Sequence, residues 1–268
     1  MDDLFSLRGK VAVVTGALGL IGRNHCMALS EAGASVVVAD LNEQKCADFA
    51  NEYLTNSIGA YLDVTNKNSI SDLVSTVNKH YGKIDILVNN AAINDMFEDP
   101  KAAMEQSKFE NYPLELWQKS LDVNLTGVFL CSQQIGSYMV ELGSGSIINV
   151  SSTYGMVAPD QSLYQDPNGK QAFVKPPAYS VTKSGVIMLT KYLASYWGNS
   201  GVRVNTLTPG GVQNAQDAYF VENYSRKTPL GRMAKPGDYK GAIVFLASDA
   251  SSYMTGANLV VDGGWTCW

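Results

Sequence analysis

Histidine and cysteine are scarce in this chain of 268 residues, with two and four copies. Cys26, Cys46, Cys131 and Cys267 form no C-x-x-C pair and show no metal-ligand spacing, so neither a disulfide scaffold nor a zinc centre organises the molecule. They read as reduced, mostly buried thiols of a cytosol-like, cytoplasmic compartment. His25 and His80 fall on expected helices without a nearby carboxylate or cysteine, and read as surface or hydrogen-bonded histidines, not as ligands. No basic run is present and the net charge is −5, which argues against nucleic acid or an anionic membrane as partner. The apolar runs are strand-length, too short to span a bilayer. The acidic start, Met1-Asp2-Asp3-Leu4-Phe5, does not read as a signal peptide. There is no Gly/Ser/Pro-rich linker, low-complexity segment or internal repeat, so residues 1–268 read as a single domain.

What is present is an alternation of short β-branched runs with helix-length stretches. Val11–Val14, Ser35–Ala39, Ile84–Val88, Ser146–Val150, Val202–Asn205 and Asn258–Val261 are apolar almost throughout, the pattern of strands buried on both faces. Helices are expected between them, among them Gly22–Ala32, Asn66–His80 and Tyr179–Trp197. The fold class that follows is α/β, a doubly wound parallel sheet of Rossmann type with helices on both faces. Two polar segments interrupt the rhythm, Asn94–Leu116 and Met156–Pro177, the second rich in proline. Both leave carboxyl ends of strands, where open α/β sheets bind ligands, and are expected to shape a substrate site.

The first strand runs into Thr15-Gly16-Ala17-Leu18-Gly19-Leu20-Ile21-Gly22. Glycine is needed where the chain turns sharply or where backbone must approach a pyrophosphate, and the following helix offers free N–H groups and a positive dipole end. Gly16, Gly19, Leu20, Ile21 and Gly22 are therefore expected to touch a dinucleotide. Asp40 ends the second strand, where a carboxylate accepts hydrogen bonds from the adenosine ribose and repels a 2′-phosphate. With Leu41 beside it and no Lys or Arg in the glycine turn, the cofactor expected is NAD. The same acid could instead cap the helix near Asn42. Asp63, in Leu62-Asp63-Val64-Thr65, could meet the adenine amino group with Val64 beside it; a cap on the next helix is an equal reading.

Tyr179 and Lys183 stand one helical turn apart on one face. A chain of this composition produces the Y-x-x-x-K spacing about once by chance, so its weight comes from its position at the start of a helix downstream of Ser152. A phenol near pKa 10 is a poor base at neutral pH, but a neighbouring ammonium stabilises the phenolate. Such a pair can exchange a proton with an alcohol or carbonyl oxygen, towards which Ser152 could donate. Ser152 could equally serve only as a strand-end turn residue.

The ordered set of Thr15-Gly16…Gly22, Asn89-Asn90-Ala91, Asn124 in Asp122-Val123-Asn124-Leu125, Ser152-x-x-Gly155, Tyr179-x-x-x-Lys183, Pro209-Gly210 and Val261-Asp262-Gly263-Gly264 resembles a classical short-chain dehydrogenase/reductase over essentially the whole chain. The resemblance implies that Tyr179 is the general acid/base and that Lys183 holds the nicotinamide ribose and lowers the phenol pKa. It implies that Ser152 orients a carbonyl and that Asn124 holds a water in a proton relay. Asn90 and Ala91 would line the cofactor cleft, and Val212, following Pro209-Gly210, would contact the nicotinamide amide. A small-molecule substrate and a homo-oligomer, tetramer or dimer, are implied with them.

The sequence departs from the family pattern in places. Gly19 and Leu20 invert the usual T-G-x-x-x-G-x-G spacing, which resembles the extended, epimerase-containing branch; a transient-redox isomerase or lyase is therefore a rival reading. Ala92 stands where N-N-A-G has glycine, and Val212-Gln213-Asn214 replaces a threonine-bearing run. The Ser152-to-Tyr179 interval is about twice the usual one. That insertion and the ending Gly263-Gly264-Trp265-Thr266-Cys267-Trp268 resemble a bacterial subgroup linked to flagellin modification and nonulosonic-acid sugars. The polar segments carry Asp95, Glu98, Lys101, Lys108, Asp160, Gln161, Asp166, Lys170 and Lys175. Walls of that kind suit a sugar-like or phosphorylated substrate better than a steroid or acyl chain. A ketoacyl-thioester reductase, usually NADP-dependent, is a second rival, and a silent NAD-binding module a third. Trp265 and Trp268 could pack in a subunit interface or in the core.

Overall fold

The computed structural model describes residues 4–94, 100–171 and 173–268. Seven strands, β1 (Val11–Thr15), β2 (Ser35–Asp40), β3 (Ile58–Tyr61), β4 (Ile86–Asn89), β5 (Gly145–Val150), β6 (Val202–Pro209) and β7 (Asn258–Val261), form one sheet in the order β3-β2-β1-β4-β5-β6-β7. Every pairing is parallel. The helices are α1 (Gly22–Glu31), α2 (Glu43–Tyr53), α3 (Lys67–Tyr81), α4 (Pro100–Ser107), α5 (Leu114–Leu121), α6 (Gly127–Leu142), α7 (Pro177–Trp197), α8 (Ala218–Lys227) and α9 (Lys240–Ala247).

The period of two along a strand sorts side chains between two cores. Ala12, Val14, Val36, Val38 and Ile148 face α1, α2 and α9, where Leu29, Phe49, Ile243 and Leu246 close the layer. Val11, Val13, Val37, Ala39 and Ile147 face α3, α6 and α7 and meet Leu73, Ile135, Met139 and Trp197. Strands covered on both faces have no solvated side, which is why their sequences lack polar alternation. β1 and β4 diverge to opposite sides of the switch point, and the carboxyl ends of β1, β2, β4, β5 and β6 open onto one cleft. Among the described residues no helix is long and apolar enough to cross a membrane.

Several expectations change. His25 is neither on the surface nor hydrogen-bonded: it is fully buried in α1 and neither ring nitrogen has a partner. Burial without a carboxylate pushes its pKa down to about 4, so the ring is neutral and packs as an apolar group. The cap of α2 is Asn42, which accepts from the Lys45 N–H at 3.0 Å, not Asp40. Asn66 caps α3, while Asp63 accepts from the N–H and hydroxyl of Thr65 in the turn before it. Asp and Asn compete for such positions, and here the residue nearer the helix takes the cap. Trp265 stacks on Tyr224 with ring centroids 4.1 Å apart, whereas Trp268 is exposed.

Candidate active site

A cavity of 580 Å³ runs along the carboxyl edge of the sheet from Asp40 to Tyr224. One end is built from the β1–α1 turn. Gly16 has φ +60°, and a Cβ there would lie 2.6 Å from the Ala91 Cα. At Gly22 a Cβ would lie 2.4 Å from the Gly16 carbonyl oxygen. Neither position accepts a side chain, and this explains two of the three glycines. Gly19 has ordinary φ and only the Gly16 oxygen near it, so the altered spacing costs this turn little; Leu20 instead turns its side chain to the cavity and solvent.

Asn90 locks the turn to β4. Its amide donates to the carbonyls of Thr15 at 3.0 Å and Gly16 at 2.9 Å, and Thr15 Oγ1 accepts from the Asn90 and Ala91 N–H groups. The first turn of α1 has no side-chain cap; the Gly19 carbonyl takes the Arg23 N–H at 3.2 Å, and the turn starts at the cavity lining with Gly22. Asp40 is held rigidly, its two carboxylate oxygens accepting from the Leu18 N–H at 3.0 Å and the Leu41 N–H at 2.8 Å. Leu41, Asp63 and Val64 complete that end. Uncapped amides next to a fixed carboxylate are the donor and acceptor set that a nicotinamide dinucleotide needs for its pyrophosphate and ribose.

The other end gathers the residues expected to do chemistry. Ser152 follows β5 with its hydroxyl accepting from the Tyr154 N–H at 3.2 Å, so the turn role and the site role coexist. Tyr179 lines the same end of the cavity as Ser152. Burial raises the Tyr179 pKa, and the neighbouring Ser152 hydroxyl opposes that. Lys183 is buried; its ammonium donates to the Val150 carbonyl at 2.8 Å and lies 5.7 Å from the Tyr179 ring centroid. Desolvation brings its pKa down to about 8. The β5–α7 contact is tight because Gly155 leaves room: a Cβ there would lie 2.7 Å from the Lys183 carbonyl carbon. Ser151 Oγ donates to the Lys183 carbonyl at 2.8 Å, tying the end of β5 to the helix bearing Tyr179.

Asn124 sits in a π-helical turn between α5 and α6, fully buried and not on the cavity surface. Its side-chain amide accepts from the Ile93 N–H at 2.7 Å and donates to the Ile93 carbonyl at 2.9 Å, pinning the cavity wall that follows β4. Pro209, Gly210 and Val212 line the cavity after β6. The neighbouring Gly211 is required as well, because a Cβ there would lie 2.6 Å from the Tyr224 ring, whose hydroxyl accepts the Gly211 N–H at 2.7 Å.

Pattern reading missed part of the substrate end. Tyr154, Tyr164, Phe220 and Tyr224 form an aromatic wall, and Asn94 and Lys175 close the side nearest Tyr179. The proline-rich insertion supplies Tyr164 and Lys175, and α8 supplies Phe220 and Tyr224. Asp160 of the insertion is paired with Lys227 of α8, and Val174 N–H donates to Ser107 Oγ of α4 at 2.9 Å, so the insertion is tied to α8 and to the other polar segment. Lys170 is exposed and Asp166 half-buried in a short turn where Asp166 Oδ1 accepts from the Lys170 N–H at 2.9 Å. Asp95, Glu98 and the Lys101 side chain lie outside the described residues. The one signal that could have singled out Lys175 is its place one helical turn before Tyr179.

A family model described as enoyl-(acyl carrier protein) reductase matches residues 16–266. A D-threitol dehydrogenase of Mycolicibacterium smegmatis is 36% identical, the match covering 99% of this chain and 96% of that protein. An NAD-dependent glycerol dehydrogenase of Listeria innocua is 33% identical over 99% of this chain and 97% of its own length. Among solved structures, a gluconate 5-dehydrogenase from Burkholderia cenocepacia, in complex with NADP and tartrate, superposes with a TM-score of 0.86 at 32% identity, covering 100% of this chain and 99% of that one. With the sheet order, the glycine turn and the Ser152–Tyr179–Lys183 cluster in one cleft, these matches place the chain in the short-chain dehydrogenase/reductase family, oxidoreductases that act on CH–OH groups.

Proposed function

We propose that this protein interconverts a secondary alcohol and a ketone on a polyhydroxylated, sugar-like substrate, with NAD(H) as cofactor. The observation that carries the reading is the meeting of Ser152, Tyr179 and Lys183 on the same cavity as the glycine turn. The nicotinamide, when bound, accepts or supplies the hydride at the carbinol carbon. Tyr179 takes the hydroxyl proton during oxidation and returns it to the carbonyl oxygen during reduction. Ser152 donates a hydrogen bond to that oxygen as charge develops on it. Lys183, positive at neutral pH, stabilises the phenolate form of Tyr179 and stands ready for ribose hydroxyls. Asn124 positions the wall at Ile93, where its side chain is engaged.

Asp40 supports NAD over NADP, because a carboxylate fixed by two N–H groups repels a 2′-phosphate. The hydroxylated substrate class is supported by the polar and aromatic wall and by the dehydrogenases of threitol, glycerol and gluconate among the similar proteins. The narrower flagellin and nonulosonic-acid association remains a proposal carried by the insertion and the ending alone. A homo-oligomer belongs to the same reading, supported by exposed Met188, Tyr192 and Tyr196 along α7. So does a reducing, cytoplasmic setting, supported by the buried free thiols of Cys26, Cys46 and Cys131.

The test is NADH formation from NAD with a panel of polyols, sugars, sugar acids and sugar phosphates. Net NADH should accumulate on one class, and Tyr179→Phe should lower kcat by about 1000-fold while binding NADH normally. Substrate conversion without net NADH would favour a transient-redox isomerase, and undiminished turnover by Tyr179→Phe would end the assignment.

A further inference from the structure

We propose that the paired hydroxyls of Tyr154 and Tyr164 read a second, non-reacting hydroxyl of the substrate, and that this pair is what selects a polyol over a simple secondary alcohol. This rests on the dehydrogenase reading above and assigns two specificity residues to its substrate class.

The two phenols come from separate elements. Tyr154 lies in the turn Thr153–Gly155 that follows β5, and its N–H donates to Ser152 Oγ at 3.2 Å. Tyr164 ends the turn Gln161–Tyr164 of the insertion, whose start is fixed by Asp160, an acceptor for the Ser162 N–H at 2.9 Å. The adjoining Leu163 is fully buried and packs in a small core with Tyr224 and Met233. The Tyr164 ring is braced by a T-shaped contact with Phe173, the centroids 4.6 Å apart. These supports bring the hydroxyls of Tyr154 and Tyr164 to 3.1 Å, and both residues are half-buried and line the cavity.

A phenol hydroxyl both donates and accepts. Within the pair one O–H is spent on the other oxygen, which leaves one O–H to donate and an oxygen to accept. That set is the complement of an alcohol, itself one donor and one acceptor. Burial pushes both phenols above their ordinary pKa, Tyr164 to about 12, so the pair is neutral at working pH. Both also feel the charge of Tyr179, at whose end of the cavity they stand. Ser152 and Tyr179 serve the reacting oxygen in the reading above, and the pair is left for a different hydroxyl of the same molecule. An O–H enclosed by a bound ligand that offers it no acceptor is costly, which is how a polar site rejects an analogue lacking one hydroxyl. An apolar wall discriminates far less between the two.

The experiment measures kcat/KM on the full-length protein saturated with NAD. The compounds are threitol with butane-1,2,4-triol and butane-1,2,3-triol, and the best substrate of the panel above with its single-deoxy analogues. The variants are Tyr154→Phe and Tyr164→Phe, which keep the rings and remove one hydroxyl each. In the unaltered protein, loss of the hydroxyl that is read should lower kcat/KM roughly 30-fold. In each variant the same ratio should shrink to about threefold, through slower turnover of the full polyol and not through faster turnover of the analogue. NADH titration should give the same Kd for both variants, because the pair stands away from the glycine turn. A ratio near unity for every analogue in the unaltered protein overturns the proposal. So does a ratio that either variant leaves unchanged, the result expected if the pair merely ties the insertion to β5. With Tyr179-dependent turnover present, these outcomes overturn the role of the pair and leave the dehydrogenase reading standing. Absence of Tyr179-dependent turnover on every compound overturns both.

Discussion

At the adenosine end of the cavity the wall is largely main chain: Gly16, Gly19 and the uncapped first turn of α1, with the Asp40 carboxylate fixed at the end of β2. At the substrate end the wall is side chain, drawn from five places: the end of β5, the start of α7, the insertion before it, α8, and Asn94 after β4. Main chain at a strand–helix turn can be placed only by local conformation, so it demands glycine and leaves a motif. Side chains converging from separate loops are placed by packing, and any residue of suitable size and charge can fill the position. The first end is therefore shared chemistry and the second is where this protein becomes particular.

The comparison is broken most severely by Gly16→Val. The left-handed φ and the nearby Ala91 backbone exclude the new side chain, at a cost of about 3 kcal/mol. NADH titration should show affinity lower by roughly 100-fold, about 2.7 kcal/mol. An unchanged Kd would mean that this turn is not the dinucleotide's cradle. A narrower effect is expected from Asp40→Ala. The ratio of NADP to NAD affinity should move towards NADP by about 30-fold, about 2 kcal/mol of relieved repulsion. A constant ratio would remove the basis for NAD preference.

The smallest effect concerns stability at the substrate end. The Lys183 pKa falls from 10.5 to about 8 on folding, so at neutral pH its buried charge opposes folding by about 3 kcal/mol. Lys183→Met removes that penalty but leaves the Val150 carbonyl unpaired, which costs about 1 kcal/mol. The net expectation is a Tm higher by roughly 4 °C with turnover lost. Because the lysine pKa is depressed, the penalty is complete below pH 8 and disappears as the pH rises through 10.5; the gain should fade over the same interval. Melting curves across that range read it directly, and a variant less stable at pH 7 would show that the Val150 hydrogen bond outweighs the desolvation.

Legibility follows the same division. β1 and β2 were readable because strands buried on both faces cannot alternate, and Gly16 and Gly22 because backbone crowding bars any Cβ. Tyr179 and Lys183 were readable from helical spacing once Ser152 stood upstream. Lys175 was visible only as one of many charges in a polar insertion; its burial comes from Gln161 and Asn94, neither its neighbour in sequence. His25 misled for the complementary reason. A polar residue in a helix of modest amphipathicity reads as exposed, yet α1 is covered by the sheet and by α9, and the ring is enclosed with no partner.

Taken by itself, the sequence determined the doubly wound sheet, the position of the glycine turn, the acid at the end of β2 and the phenol–ammonium pair, because each depends on contacts within a few residues or on a strand's need to be apolar on both faces. Only the tertiary structure decided that Asn124 lies behind the wall and not on it, that Tyr154, Tyr164 and Tyr224 share one surface, and that Lys175 enters the cavity beside Tyr179. Those placements rest on pairings such as Asp160 with Lys227 and Gly211 with Tyr224, between residues that chain topology brings together and that no local period records.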